Sequence, residues 1–279
     1  MRKGIPGVRS RRRPAMVVVA AAVVVALAAG CGSSGGGGTG DTTGTAATAA
    51  KDRPAIAVSA ATSLKTAFTE YADGFTAADV KLQFAGSDAL AAQIEQGVRP
   101  DVFAAANTKL PDKLAKAGLV GPPTVFAGNR LVLAVPADDA KVTSLADLSK
   151  PGVTIATGAA GVPIGDYTRK VLARLPAAQR AAILANVRSR EPDVGGIVGK
   201  LSQGAVDAGL VYVTDVTASG GRLKAIELPP SVRPQVAYGV AVVTGSKHAK
   251  QAHAFIVGLL TGKGRAALAK AGFEPPPAE

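Results

Sequence analysis

Between residues 56 and 75 the chain reads IAVSAATSLKTAFTEYADGF. Ile56, Ala57 and Val58 suit a buried strand, and a run of small residues, Ser59-Ala60-Ala61-Thr62-Ser63, follows. Leu64, Ala67, Phe68, Tyr71, Ala72 and Phe75 then recur at spacings of three and four, the stripe of an amphipathic helix. Strand, small turn and helix make half of a βαβ unit. Such a turn brings unpaired backbone N–H groups and the positive end of a helix dipole to one point, which can hold an anion without a charged side chain. Ser63 stands just before the stripe, where it either caps the helix or turns its hydroxyl outward.

The same design repeats downstream. Residues 80–84 read as a strand, Ala85-Gly86-Ser87-Asp88 as a small polar turn, and 89–96 as a helix stopped by Gly97. Asp88 is expected to cap that helix and point away from the turn. Strands are expected at 101–105, 129–136, 153–157, 186–190, 208–213 and 237–243. Helices are expected at 110–117, after the glycine-rich turn 158–165, from Pro192-Asp193 to Gly204, and twice near the end. This alternation favours an α/β fold with parallel sheets. Ligands in such sheets lie beyond the carboxyl ends of the strands. The candidate site is therefore built from the turns 59–63, 85–88 and 158–165, set across a cleft if there are two lobes.

Residues 1–30 carry a basic start, an apolar run over 15–29 and no acid, the pattern of an export signal. They hold half of the formal net charge of +12. The remaining basic residues are scattered among acids, Trp is absent and aromatics make up 4%, so no nucleic-acid partner is expected. The apolar run ends at Cys31, the only cysteine, which excludes an intramolecular disulfide. Leu27-Ala28-Ala29-Gly30-Cys31 resembles the lipobox of bacterial lipoproteins, with its Leu one place further from the Cys than usual. The resemblance implies a lipid on Cys31. Residues 32–50 are Gly, Ser, Thr and Ala with one charge, Asp41. They read as a flexible tether with a span of about 25 Å.

Enzymatic machinery is not legible. Ser63 and Ser87 have no His partner in sequence context, and His248 and His253 are spaced so that they do not share a helix face. No Gly-x-Gly-x-x-Gly follows a strand, and residues 158–165 lack the Lys-Ser or Lys-Thr ending of a P-loop. The chain is read as a binder without catalytic residues or cofactor, not as an enzyme. Ser hydroxyls, backbone N–H groups and one Tyr hydroxyl are neutral donors. Converging on a small dianion, they disperse its charge without a buried ion pair, which is costly both to make and to break.

The words VSAATSLKTAF, LQFAGSDALAAQIEQGVRPDVFAAA, NRLVLAVP, GVPIGDYTRKVL, AGLVYVTD and KAGFEPP occur in this order between residues 56 and 276. Together they resemble the molybdate-binding proteins of bacterial ABC importers. The resemblance implies the type II periplasmic-binding-protein fold, two α/β lobes joined by crossover strands. It implies oxyanion-binding roles for the hydroxyls of Ser63, Ser87 and Tyr212 and for the backbone N–H groups of Ile164 and Val194. Molybdenum is then held only as its oxyanion. Asp88 departs from the family, which usually has a small residue there; Asp193, before Val194, is expected as a helix N-cap. The expected organisation is a signal at 1–30, a tether at 31–52, a first lobe of 53–135 and 240–279, and a second lobe of 136–239. Hinges fall near 133–136 and 237–241. The implied protein is a monomer anchored to the outer face of the membrane by lipid, passing molybdate or tungstate to an ABC permease and its ATPase. Its rivals are a sulfate or phosphate binder on the same scaffold, a secreted serine hydrolase using Ser63 or Ser87, and an adhesion or sensor domain.

Overall fold

The computed structural model describes residues 53–138 and 141–278. The expected signal, Cys31 and the tether lie outside the described residues. The fold begins with β1 (Ala55–Ala61), a 3-10 turn (Thr62–Leu64), α1 (Lys65–Asp73), β2 (Asp79–Ala85), α2 (Ser87–Glu95), β3 (Val102–Ala105), α3 (Lys109–Lys116) and β4 (Thr124–Asn129). Next come β5 (Leu131–Pro136), β6 (Ile155–Gly158), α4 (Pro163–Ala173), α5 (Ala177–Ala185), β7 (Val187–Glu191) and α6 (Val194–Ser202). The remainder is β8 (Ala208–Tyr212), α7 (Val213–Ala218), β9 (Leu223–Glu227), β10 (Val236–Val242), α8 (Ala249–Thr261) and α9 (Lys263–Lys270).

Two five-stranded sheets result, ordered β2-β1-β3-β10-β4 and β7-β6-β8-β5-β9. The strands of the opening βα units run parallel, β1 with β2 and β3, and β6 with β7 and β8. The expectation of purely parallel sheets does not hold. β10 pairs antiparallel with β3 and β4, and β5 pairs antiparallel with β8 and β9. These two strands enter each sheet directly after the chain has crossed from the other one, and they arrive running the opposite way.

The stretch 129–136, expected to be one strand, is divided. Asn129 ends β4 in the first sheet, Arg130 stands alone, and β5 belongs to the second sheet. The apolar run 131–135 is fully buried because strands flank it on both sides. The crossings therefore lie at Arg130 and in residues 228–235. The first lobe is 53–129 with 236–278, and the second is 131–227. The expected lobe boundaries shift accordingly, and residues 133–136 and 237–241 lie inside β5 and β10, not between the sheets.

Packing follows the apolar stripes. Phe68 of α1 meets Phe126 of β4 and Phe255 of α8, with ring centroids 6.0 and 5.6 Å apart. Phe68 and Phe255 are wholly buried, each worth about 1.5–3 kcal/mol of apolar burial. Val194, Ile197 and Leu201 bury the inner face of α6 against the second sheet. The helices are thus fixed so that their starts, not their sides, face the carboxyl ends of the strands.

Candidate functional site

The carboxyl ends of β1 and β2 in the first lobe face those of β6, β7 and β8 in the second. Between them lies a cavity of about 20 Å³. That is little more than the room a single water needs, on the scale of a small ion. Ser63, Ser87, Ile164, Val194 and Tyr212 all line it, with Ala106 and Asp193 beside them, and no Lys or Arg is among its lining residues. The structure brings together all five residues expected from the sequence. A larger cavity, of about 260 Å³, lies under α4 and α5, but its walls are chiefly apolar, including Leu148, Ile155, Leu172 and Leu210.

Each group arrives by a short route from a strand end. β1 stops at Ala61, and the 3-10 turn carries Ser63 inward before α1 begins. Ser63 makes no cap bond; its Oγ lies 2.9 Å from the Tyr238 hydroxyl. β2 stops at Ala85, and Ser87 is the first residue of α2. The Ala106 N–H, just past β3, donates to Ser87 Oγ at 3.0 Å. With that oxygen engaged as an acceptor, the Ser87 proton is free for an anion in the cavity.

The second lobe offers helix starts. α4 begins at Pro163, so Ile164 is its second residue, and no side chain caps it. A Cβ on Gly165 would stand 2.7 Å from the Gly158 carbonyl oxygen, so glycine here lets α4 start directly above the end of β6. α6 begins at Val194, and the Asp193 carboxylate accepts from the Gly196 N–H at 3.2 Å, as the sequence leads one to expect. The first N–H groups of a helix have no partner within it, and both Ile164 and Val194 are among them. Tyr212 ends β8. Its hydroxyl is buried and has no hydrogen-bond partner among the described residues, although the Tyr238 ring is only 5.8 Å away.

Asp88 differs from expectation. α2 begins two residues earlier than the apolar stripe suggests, so Asp88 is its second residue and caps nothing; one carboxylate oxygen is buried without a partner. Gly86, before it, lies against the other lobe, and a Cβ there would stand 2.5 Å from the Pro192 carbonyl oxygen. Lys109 of α3 and Asp166 of α4 also face each other across the cleft mouth at 3.9 Å. The lobes are shut upon each other in this structure.

Three residues around the site were not singled out in the sequence. Tyr238 reads as core in an apolar strand, Asn129 as a strand start, and Asp215 only as the last residue of the word AGLVYVTD. Asn129 Nδ2 donates to Thr214 Oγ1 at 3.0 Å and, more weakly, to the Tyr238 hydroxyl at 3.4 Å. The Asp215 carboxylate accepts from the Tyr212 N–H at 3.0 Å. Burial, followed by the charge of Asp193, pushes the Asp215 carboxyl up to about 7, against the pull of that N–H. Burial likewise pushes the Tyr212 and Tyr238 hydroxyls well above the ordinary tyrosine value. Both keep their protons and can donate.

Comparison with known proteins adds the family context. The family model described as bacterial extracellular solute-binding protein matches residues 56–274. The molybdate-binding protein ModA of Mycobacterium tuberculosis is 35% identical over 227 residues, covering 79% of this chain and 85% of that one. The Azotobacter vinelandii periplasmic molybdate-binding protein superposes with a TM-score of 0.71 at 21% identity, covering 80% of this chain and all of that one. The sulfate-binding protein SubI of Mycobacterium tuberculosis also reaches 0.71, at 20% identity, covering 80% and 87%. These two proteins share the fold but are named for different anions, so the fold alone does not choose the ligand.

Proposed function

Because this chain belongs to the bacterial extracellular solute-binding proteins, we propose that it captures molybdate, and tungstate with it, and delivers it to an ABC importer. One observation carries this reading. Five neutral groups from two lobes, three hydroxyls and two helix starts, line a cavity the size of a small ion that contains no basic side chain. In this reading Ser63, Ser87 and Tyr212 donate from hydroxyls, and Ile164 and Val194 donate from backbone N–H groups. The mycobacterial relative named for molybdate supports the choice of anion. A hydrolase reading has less support, since Ser63 touches a tyrosine hydroxyl that burial keeps protonated and Ser87 a backbone N–H, so neither has a base beside it to take its proton.

The reading extends to the whole chain. Residues 1–30 direct export, lipid on Cys31 anchors the protein to the outer face of the membrane, and the tether lets a monomeric body reach a permease with its ATPase. Cys31→Ala should release the protein from membranes or leave its signal uncleaved. A wild-type mature N-terminus found elsewhere by mass spectrometry, without lipid, would refute the anchor.

A second reading is a protonated anion such as hydrogen phosphate, whose proton needs an acceptor; it would call on Asp88, which has an unpartnered buried oxygen beside the site but does not line the cavity. Calorimetric titration with molybdate, tungstate, sulfate and phosphate decides between them. Molybdate and tungstate should bind, and phosphate should not compete. Tighter binding of phosphate, abolished by Asp88→Asn, would replace the molybdate reading.

A further inference from the structure

The larger cavity, under α4 and α5, is apolar at one end and polar at the other. β6 and β7 form its floor, and their register sets the order. Ile155 and Val187 are cross-strand partners toward the amino ends of the two strands, and Thr157 and Arg190 are partners toward the carboxyl ends. All four line the cavity. Val187 and Arg190 are three residues apart, and a register shift between Ile155 and Ala156 brings both to one face. Leu148, Leu172, Ile183 and Leu210 make the rest of the wall aliphatic, and no aromatic ring is among the lining residues. The polar end is under-used. Thr157 is 7% exposed, yet its hydroxyl reaches only the Gly158 carbonyl, at 3.5 Å, the outer limit of a hydrogen bond. Arg190 is exposed and makes no ion pair or side-chain hydrogen bond among the described residues, whereas Arg169, beside it in the lining, is bound to Asp166. Leu184 of α5 also lines the cavity and is 43% exposed, so this wall meets solvent.

We propose that this cavity is a second ligand site, which takes the anion of a straight-chain aliphatic carboxylic acid, its chain among the Leu and Ile side chains and its carboxylate on Arg190 and Thr157. The size follows from the volume. An apolar cavity of about 150 Å³ holds benzene, so by proportion one of about 260 Å³ holds a chain of roughly eight to ten carbons. The walls offer no ring for an aromatic ligand to stack on, which favours an aliphatic chain. One guanidinium without a partner matches one negative charge, and its planar fork fits the two oxygens of a carboxylate. The Thr157 hydroxyl can add a third donor. A smaller anion leaves the apolar end without contacts, and a neutral chain leaves Arg190 unmatched. This cavity and the one between the lobes share no lining residue, so the proposal stands apart from the oxyanion reading.

The test is calorimetric titration of the full chain with octanoate, with acetate and octanol as controls. Octanoate should bind once per chain, and acetate should not bind. Octanol should bind about ten-fold more weakly than octanoate, the scale of one charge-assisted hydrogen bond. Saturating molybdate should not displace octanoate. Arg190→Gln, at an exposed position, should weaken octanoate about ten-fold and leave octanol and molybdate unchanged. Ile183→Phe, which adds a ring to the cavity wall, should weaken octanoate and octanol together. Ala160→Leu, at an exposed position on the same wall, makes that measurement if Ile183→Phe does not fold. No octanoate binding at millimolar concentration, displacement by molybdate, or full octanoate affinity in the filled variant would overturn the site. An Arg190→Gln chain that keeps its octanoate affinity, or loses octanol equally, would overturn the carboxylate assignment. Failure of the wild-type chain to bind molybdate would overturn the molybdate reading and leave this inference standing.

Discussion

The two lobes equip the same cavity in different ways. The first lobe supplies side-chain hydroxyls, and each is held by a partner behind it: Ser87 by the Ala106 N–H, Ser63 by Tyr238. The second lobe supplies groups that need no such direction. The N–H groups of Ile164 and Val194 can only donate, and the Tyr212 hydroxyl has no partner within hydrogen-bond distance and geometry among the described residues. The first lobe is therefore organised before an anion arrives, whereas the second completes its bonding only on contact. The lobes also differ in charge. Around Ser63 the network of Tyr238, Asn129 and Thr214 is neutral, while beneath Tyr212 the second lobe buries the carboxyl of Asp215.

That difference predicts the largest effect, a pH dependence of stability from the second lobe. The Asp215 carboxyl rises from 3.8 to about 7 in the folded chain, which corresponds to roughly 4 kcal/mol. Between those values the folded state holds a proton that the unfolded chain has lost. Asp215 therefore contributes fully below about pH 4, and the contribution is lost as pH rises through 7. Thermal melts of wild type should shift downward from pH 4 to 7 and then level. Asp215→Asn, whose oxygen can still accept from Tyr212, should flatten the curve. Parallel pH profiles for the two proteins would place the dependence elsewhere.

The serines should lose more affinity than any group of the second lobe. Hydrogen bonds to charged partners are worth about 1.5–3 kcal/mol, so Ser63→Ala or Ser87→Ala should weaken molybdate binding ten- to a hundred-fold by that range. Both should also cost stability, read by urea denaturation: Ser87→Ala strands the buried Ala106 N–H, and Ser63→Ala leaves the buried Tyr238 hydroxyl with only the 3.4 Å contact from Asn129, each worth about 1–3 kcal/mol of folding. Unchanged affinity in both variants would remove the serines from the site. The meeting of the lobes can be broken on its own with Gly86→Ala. The added methyl collides with the Pro192 carbonyl, a strain of about 1–3 kcal/mol. Affinity should fall about ten-fold, and small-angle scattering in saturating molybdate should give a larger radius of gyration than wild type. An identical radius would show that the lobes close without that contact. Tyr212→Phe is expected to have the smallest effect, a few-fold loss in calorimetry, because the hydroxyl is satisfied by nothing else and its removal strands no partner.

Much of this was legible in the residues. Each small-residue turn after an apolar strand, at Ser63, Ser87 and Ile164, became a wall of the cavity, because strand-end geometry delivers such turns to one place. The lobe boundary was not legible. Residues 129–136 form one apolar run in sequence, and nothing in hydrophobic periodicity distinguishes a strand that continues from two strands in different sheets separated by Arg130. Asp88 was misplaced for a related reason: the apolar residues begin at Ala89, but the helix begins where the backbone turns, at Ser87. Tyr238 and Asn129 stayed hidden because they join the site through hydrogen bonds between distant parts of the chain, 109 residues apart for the pair itself.

The crossing at Arg130 also bears on how the chain is assembled. Val132 and Glu227, near the two ends of the second lobe, are cross-strand partners, and so are Asn129 and Val236, the two ends of the gap it leaves in the first. The second lobe is one continuous insertion. Everything its sheet needs has left the ribosome by residue 227, whereas the first sheet waits for β10, which sits between β3 and β4. The half of the protein that begins first is the half that finishes last. Until β10 is in place, β3 and β4 lack the strand that joins them, and their unpaired edges are the part of the fold most open to misassembly.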